Sequence, residues 1–285
     1  MRLAIDTSFD FRTDAFGNDP DAYSATLRHY HKLLWSKPLP SGALFDLDDT
    51  TYGVYLHHRS DLGEFFLSSD TVIPTFTRWI AMKPIITQFS EAENEEFGTL
   101  RYTIGGMVLW PGNRIDRKMT INGARGLNRR IADRMDLTLE CIRRHYQGRR
   151  SPLGDVLARY SDFFALFGDF RGYVDFFLLQ DLVADDYSAV RCFMPFDDFK
   201  LPSVPQDVAT YSEYRRLSIE FVQARNRRID DVAIGSASAA QQEAPPISQQ
   251  GHDLDFTGRP PSTAATSTGR AAEHYRDQVT HRQPS

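Results

Sequence analysis

The chain has 285 residues, 41% of them hydrophobic and 12% aromatic, with a formal net charge of −5. This suffices to bury a sizeable core in one or two domains, and so modest a charge gives no global case for nucleic acid or an acidic membrane as partner. Two cysteines without paired spacing, Cys141 and Cys192, exclude a disulfide framework or zinc ribbon, and with no signal-like start and no apolar run of about 18 residues a cytoplasmic protein is expected.

A short strand over residues 3–5 leads into a loop carrying Asp10, Asp14, Asp19 and Asp21. Their positions do not follow the alternating ligand pattern of an EF-hand, and no metal site is expected there. Ser24 is a helix N-cap, followed by Leu27, Tyr30, Leu34 and Trp35 at helical spacing, and Pro38 and Pro40 stop that helix by Lys37. Residues 43–47 and 52–58 alternate as strands around a turn at Asp48-Asp49, and residues 64–67 add another. Pro74 and Pro84 break any long helix between 71 and 98, although Glu91 to Phe97 reads as a short helical turn. A strand over 102–110 is interrupted at Gly105-Gly106 and ended by Trp110-Pro111-Gly112-Asn113.

The second half reads as helices. Leu127, Ile131, Met135, Leu139, Ile142 and Tyr146 predict one long amphipathic helix, and Ser151-Pro152 starts a second that runs to Phe167. Residues 170–183 are apolar on nearly every face and predict the most buried helix, with Arg171 and Asp175 one turn apart. Residues 190–194 are expected to return to the sheet, and a last helix spans 207–229. Beyond Ala233 the composition turns to Ser, Ala, Gln, Pro, Gly and Thr, which predicts a disordered tail over 233–285 and a single folded domain over 1–232. The fold class is α+β: a small, mostly antiparallel sheet from the N-terminal half packed against a C-terminal helical bundle.

The runs DRMDLTLECIRRHY and SPLGDVLARYSDFFALFGDFRGYVDFFLLQDLV, together with FDFRTD and LRHYHKLLWSKPLPSG nearer the start, resemble a family of uncharacterised bacterial proteins, largely actinobacterial. The resemblance covers about residues 1–232. It implies a bacterial cytoplasmic origin and carries over no functional residue.

Phosphate-loop, H-E-x-x-H, G-x-S-x-G and paired C-x-x-C signatures are absent, which removes the commonest nucleotide hydrolases, metalloproteases and serine esterases. No cofactor is expected. The richest remaining segment is Asn122, Gly123, Arg125, Gly126, Asn128, Arg129 and Arg130. Two glycines there are expected to lead into a helix N-terminus whose free N–H groups, with arginine forks, suit a nucleotide, a phosphorylated metabolite or nucleic acid. Residues 111–150 hold 11 Lys and Arg against 4 Asp and Glu, which supports an anion site in an otherwise acidic chain. Intrahelical pairing of these arginines with Asp133, Asp136 and Glu140 is the bland alternative. A second candidate is an enzyme using His57 or His58 as general base beside the carboxylate of Asp10 or Asp14, only one histidine entering any pocket because adjacent strand residues face opposite ways. A third reading is a protein-interaction module whose arginines and tail engage an acidic partner.

Overall fold

The computed structural model describes residues 5–50 and 56–242, and these belong to one compact unit. The expected strand over 3–5 falls largely outside the described residues, as do residues 52–55 and, of the expected tail, all of 243–285.

Helix α1 (Pro20–Tyr23) is capped by Asp19, and Ser24 then caps α2 (Ala25–Trp35), its hydroxyl accepting the Leu27 N–H at 3.0 Å. The expected face of α2 is buried, and it includes His31 as well as Leu27, Tyr30, Leu34 and Trp35. A small antiparallel pair, β1 (Lys37–Pro38) and β2 (Leu44–Phe45), precedes a four-stranded antiparallel meander. Its strands in order are β3 (Asp48–Asp49), β4 (Leu56–Ser60), β5 (Gly63–Thr71) and β6 (Met107–Pro111). Asp48-Asp49, expected as a turn, is the edge strand paired with Leu56 and His57, because ladder bonding outweighs the turn preference of aspartate.

Along β5, Phe65, Leu67, Ser69 and Thr71 are buried on one face, and Phe66, Ser68 and Asp70 alternate onto the other. Strand β4 pairs with residues 63–67 only, while β6 pairs with 67–71. Among the described residues the far half of β5 has no second strand neighbour, and α1 packs against β5.

Helix α3 (Lys83–Ile86) is followed by α4 (Glu91–Arg101), which opens on a capping box between Ser90 and Glu93. The expected long helix over 127–146 is two helices, α5 (Ile121–Leu127) and α6 (Met135–Tyr146). Between them Asn128 turns its carboxamide oxygen onto the Arg130 N–H at 2.9 Å, and Ala132 and Asp133 adopt left-handed backbone, φ 47° and 64°, which no helix accommodates. The second expected helix likewise divides at Tyr160 into α7 (Gly154–Arg159) and α8 (Ser161–Ala165). Helix α9 (Phe170–Phe176) ends earlier than the apolar run, with Leu178 left-handed at φ 56°, yet the run is buried as expected. Residues 190–194 do not rejoin the sheet; Val190 makes only an isolated bridge to Val183.

Helix α10 (Val208–Gln242) runs past the expected end at 229 and into the segment expected as tail. It fixes the entry to β6. Arg225, fully buried, donates to the carbonyls of Gly105, Met107 and Phe177 at 2.6–3.1 Å, and the Asn226 side-chain oxygen accepts the Gly105 N–H at 2.7 Å. A Cβ on Gly105 would collide with Asn226 and the Val222 carbonyl, so this approach of helix to strand requires glycine. Among the described residues no helix is long and apolar enough to cross a membrane.

Candidate functional site

A cleft of about 960 Å³ opens between α1, the end of β5, the loop after it, α4, and the turn joining α5 to α6. Its floor carries three carboxylates from distant parts of the chain: Asp21 of α1, Asp70 of β5 and Asp133 of the turn.

Asp70 accepts the Thr71 N–H at 2.7 Å and is paired with Arg125 Nη1 at 3.0 Å. Arg125 is wholly buried, lies 5.0 Å over the Trp110 ring, and also donates to Asn122 Oδ1 at 3.2 Å and Thr138 Oγ1 at 3.0 Å. It grips the turn as well, its Nη2 donating to the Asp133 carbonyl at 2.9 Å while its own carbonyl accepts the Asp133 N–H at 3.1 Å. One arginine thus holds a left-handed turn in place and sets the Asp133 carboxylate 3.5 Å from its own guanidinium. Left-handed non-glycine backbone of this kind costs about 1–3 kcal/mol per residue. It occurs at three cleft-lining positions, Phe76, Ala132 and Asp133.

Electrostatics follow from that geometry. Burial raises the Asp70 carboxyl to about 6, with the charge of Asp133 adding to the rise and Arg125 opposing it. Asp21 is pushed well above the usual carboxylate range by burial, then by the charges of Asp70 and Asp19, against Arg101 and the nearby Ser69 hydroxyl. Asp21 Oδ1 is buried and has no hydrogen-bond partner among the described residues. Arg101, also in the lining, donates to Thr71 Oγ1 at 2.7 Å and Thr75 Oγ1 at 3.2 Å, and its buried Nε has no partner among the described residues. Trp79, Tyr102 and the exposed Arg78 line the cleft as well. Such a floor can hold and release a proton near neutral pH while presenting cationic and amide donors to a polar molecule.

The residues expected to bind an anion are distributed around this cleft. Asn122 and Gly126 line it, whereas Arg125 lies behind its floor with its donors engaged by protein acceptors. Gly123 does not precede a helix but lies inside α5, its N–H accepted at 3.2 Å by the capping hydroxyl of Thr120. That corrects the expected helix entry: Thr120 supplies a cap one residue before α5, and Gly126 falls in the last turn. Asn128 ties the turn to the Pro152 carbonyl at 3.1 Å, and Arg129 and Arg130 are exposed. The pairing of Glu140 with Arg143 and Arg144 is present, both at 2.7 Å.

The histidine candidates lie elsewhere. His57 and His58 point to opposite faces of β4: His57 stacks near Phe66, and His58 is buried against Phe45 and hydrogen-bonded to the Asp46 carbonyl at 3.0 Å. Asp10 is held by Arg12, and Asp14 accepts the Thr26 N–H at 3.0 Å, so neither carboxylate is joined to a histidine. Among the described residues no three His, Cys, Asp or Glu side chains converge to hold a metal ion.

Asp70 and Arg101 were not singled out from the sequence, and Asp21 only as one of four loop carboxylates. A usable signal was present in Ser68-Ser69-Asp70-Thr71, a polar run that ends the strand after Phe65-Phe66-Leu67. The model of a family of unknown function, DUF6994, matches residues 5–229, and the chain belongs to that family. No curated protein and no solved structure matches it.

Proposed function

We propose that the cleft binds a small polar molecule and acts on it by proton transfer, with Asp21 and Asp70 as the acid–base pair and Arg101 and Asn122 as polar anchors. The reading is carried by one observation: two mutually repelling carboxylates line the same open cleft, one ion-paired to a buried arginine and the other with a buried oxygen that has no partner among the described residues. Carboxylates in contrasting surroundings are the usual means by which one site keeps an acid and a base at the same pH. Saturation-transfer NMR with an equimolar mixture of sugars, nucleosides, sugar phosphates and amino acids tests it. At least one compound should bind the wild type and be lost in both Asp21→Asn and Arg101→Met; binding that survives both variants sinks the assignment to this cleft.

A second reading keeps the anionic ligand at the segment from Asn122 to Arg130. It is favoured by Arg129 and Arg130, which are exposed and form no ion pair among the described residues. Pyrophosphate titrated by calorimetry should then bind the wild type and not Arg129→Ala/Arg130→Ala. The bacterial cytoplasmic setting implied by the resemblance accords with the two free thiols, Cys141 and Cys192.

A further inference from the structure

The charge excess over residues 111–150 is sorted by the fold. Its carboxylates are mostly drawn inward: Asp136 is buried on Arg134, Glu140 is buried between Arg143 and Arg144 at 2.7 Å from each, and Asp133 lines the cleft 3.5 Å from Arg125. Asp116 alone of that set stays exposed. The remaining cations turn outward. Arg114, Arg117 and Lys118 before α5, Arg129 and Arg130 in the turn after it, and Arg149 and Arg150 after α6 are all exposed, and none forms an ion pair among the described residues. Arg149 reaches Gln147 Oε1 at 3.5 Å, and the neighbouring Asp198 is taken by Arg144 at 2.7 Å. None of these outward cations lines the cleft.

Tertiary hydrogen bonds gather the three segments around α7. At its start, the Asn128 amide donates to the Pro152 carbonyl at 3.1 Å and Arg144 Nη1 to the Arg150 carbonyl at 3.4 Å, which sets Arg129 and Arg130 beside Arg149 and Arg150. At its end, Arg159 Nη2 donates to the Met119 carbonyl at 2.6 Å and the Tyr160 hydroxyl to the Asn113 carbonyl at 2.8 Å, which holds the loop of Arg114, Arg117 and Lys118. A helix of six residues is about 9 Å long, so both groups of cations border one short element. The exposed carboxylates beside them are Asp116, Asp155 and Asp162, too few to neutralise the face. All but Lys118 are arginines, whose planar forks grip phosphate oxygens in pairs. Met119 and Leu127 are the large apolar side chains exposed there, fewer than the apolar core of a protein interface needs. No aromatic ring in these segments is exposed, which leaves no stacking platform for the bases of a single strand. We infer that this face binds the phosphate backbone of double-stranded nucleic acid without reading its sequence. The inference is independent of the acid–base reading of the cleft and shares only Arg129 and Arg130 with the small-anion reading.

Fluorescence anisotropy of the full chain with labelled mixed-sequence duplexes of about 24 base pairs, one of DNA and one of RNA, tests it. At least one duplex should bind with a micromolar Kd at about 50 mM salt and weaken roughly 100- to 2,000-fold by about 200 mM, as release of counterions by about four to six cations requires. Arg129→Ala/Arg130→Ala and Arg149→Ala/Arg150→Ala should each weaken binding about tenfold or more at the lower salt and reduce the log–log salt slope by about two. Their melting temperatures should stay at the wild-type value, because all four side chains are exposed. No duplex binding at about 50 mM salt, an affinity indifferent to salt, or wild-type affinity in both double variants overturns the inference. Tighter binding to vesicles of phosphatidylserine and phosphatidylcholine, or to polyglutamate, at the same salt overturns the nucleic-acid partner. Arg149→Ala/Arg150→Ala should lose the duplex while leaving pyrophosphate binding at the turn unchanged, and duplex binding by a wild type that ignores pyrophosphate supports this face while removing the small-anion reading.

Discussion

Arg125 and Arg225 are both completely buried, and both lie over a tryptophan ring, yet they do opposite work. Arg225 donates only to main-chain carbonyls, of Gly105, Met107 and Phe177, and burial depresses its pKa to about 10. Its charge is offset by fixed dipoles that do not titrate, so the junction of α10, β6 and α9 is a structural lock. Arg125 donates to Asp70 and to the Asp133 carbonyl, and is ion-paired with the Asp133 carboxylate at 3.5 Å. Of these partners Asp70 can take up a proton near neutral pH, and both aspartates line an open cleft. A buried arginine surrounded by carbonyls marks architecture; one surrounded by strained, proton-binding carboxylates marks a place where the fold tolerates instability for another purpose.

The largest effect expected from breaking this contrast is at the lock. Arg225→Met should destabilise the chain by about 4 kcal/mol, since it leaves several buried carbonyls without donors. Urea unfolding should give the same loss at pH 5 and pH 8. Arg125→Met should lose about 3 kcal/mol at pH 8, where Asp70 and Asp133 are left without their counter-charge, and clearly less at pH 5, where Asp70 can be neutral. Equal losses at the two pH values would erase the distinction between the regions.

Asp21→Asn sharpens the contrast with the opposite sign. Folding raises the pKa of Asp21, so the folded state binds more protons than the unfolded one, and stability falls as pH rises from about 4. Asparagine removes that dependence. The variant should match the wild type near pH 4 and exceed it at pH 8, a gain visible as a higher melting temperature there. The smallest effect belongs to Arg129→Ala/Arg130→Ala, which should change stability by less than about 0.5 kcal/mol because both side chains are exposed. A larger loss would place those arginines in the lock rather than at the surface.

Legibility from sequence followed the range of the interactions. Ser24 as a cap, the buried stripe of α2 and the packing of residues 170–183 were readable because helix periodicity and capping are decided within a few residues. The break between α5 and α6 was not, because Leu127 and Ile131 keep helical spacing across it, while the left-handed Ala132 and Asp133 are pinned by the Arg125 side chain. The arginine-rich segment stands out by composition, but composition could not show that Arg125 turns inward while Arg129 and Arg130 remain outside.

What the sequence by itself determined was the α+β class, the mostly antiparallel character of the sheet, and most of the core, each set by alternation, helical period and turn chemistry acting locally. Only the tertiary structure decided the cleft. Asp21, Asp70 and Asp133 are separated by tens of residues, and each reads alone as an ordinary polar residue of a helix, a strand end or a turn. The protonation of Asp21 and Asp70 depends on burial, on repulsion from neighbouring carboxylates and on the arginines that oppose it, and none of these acts until the fold brings the groups together.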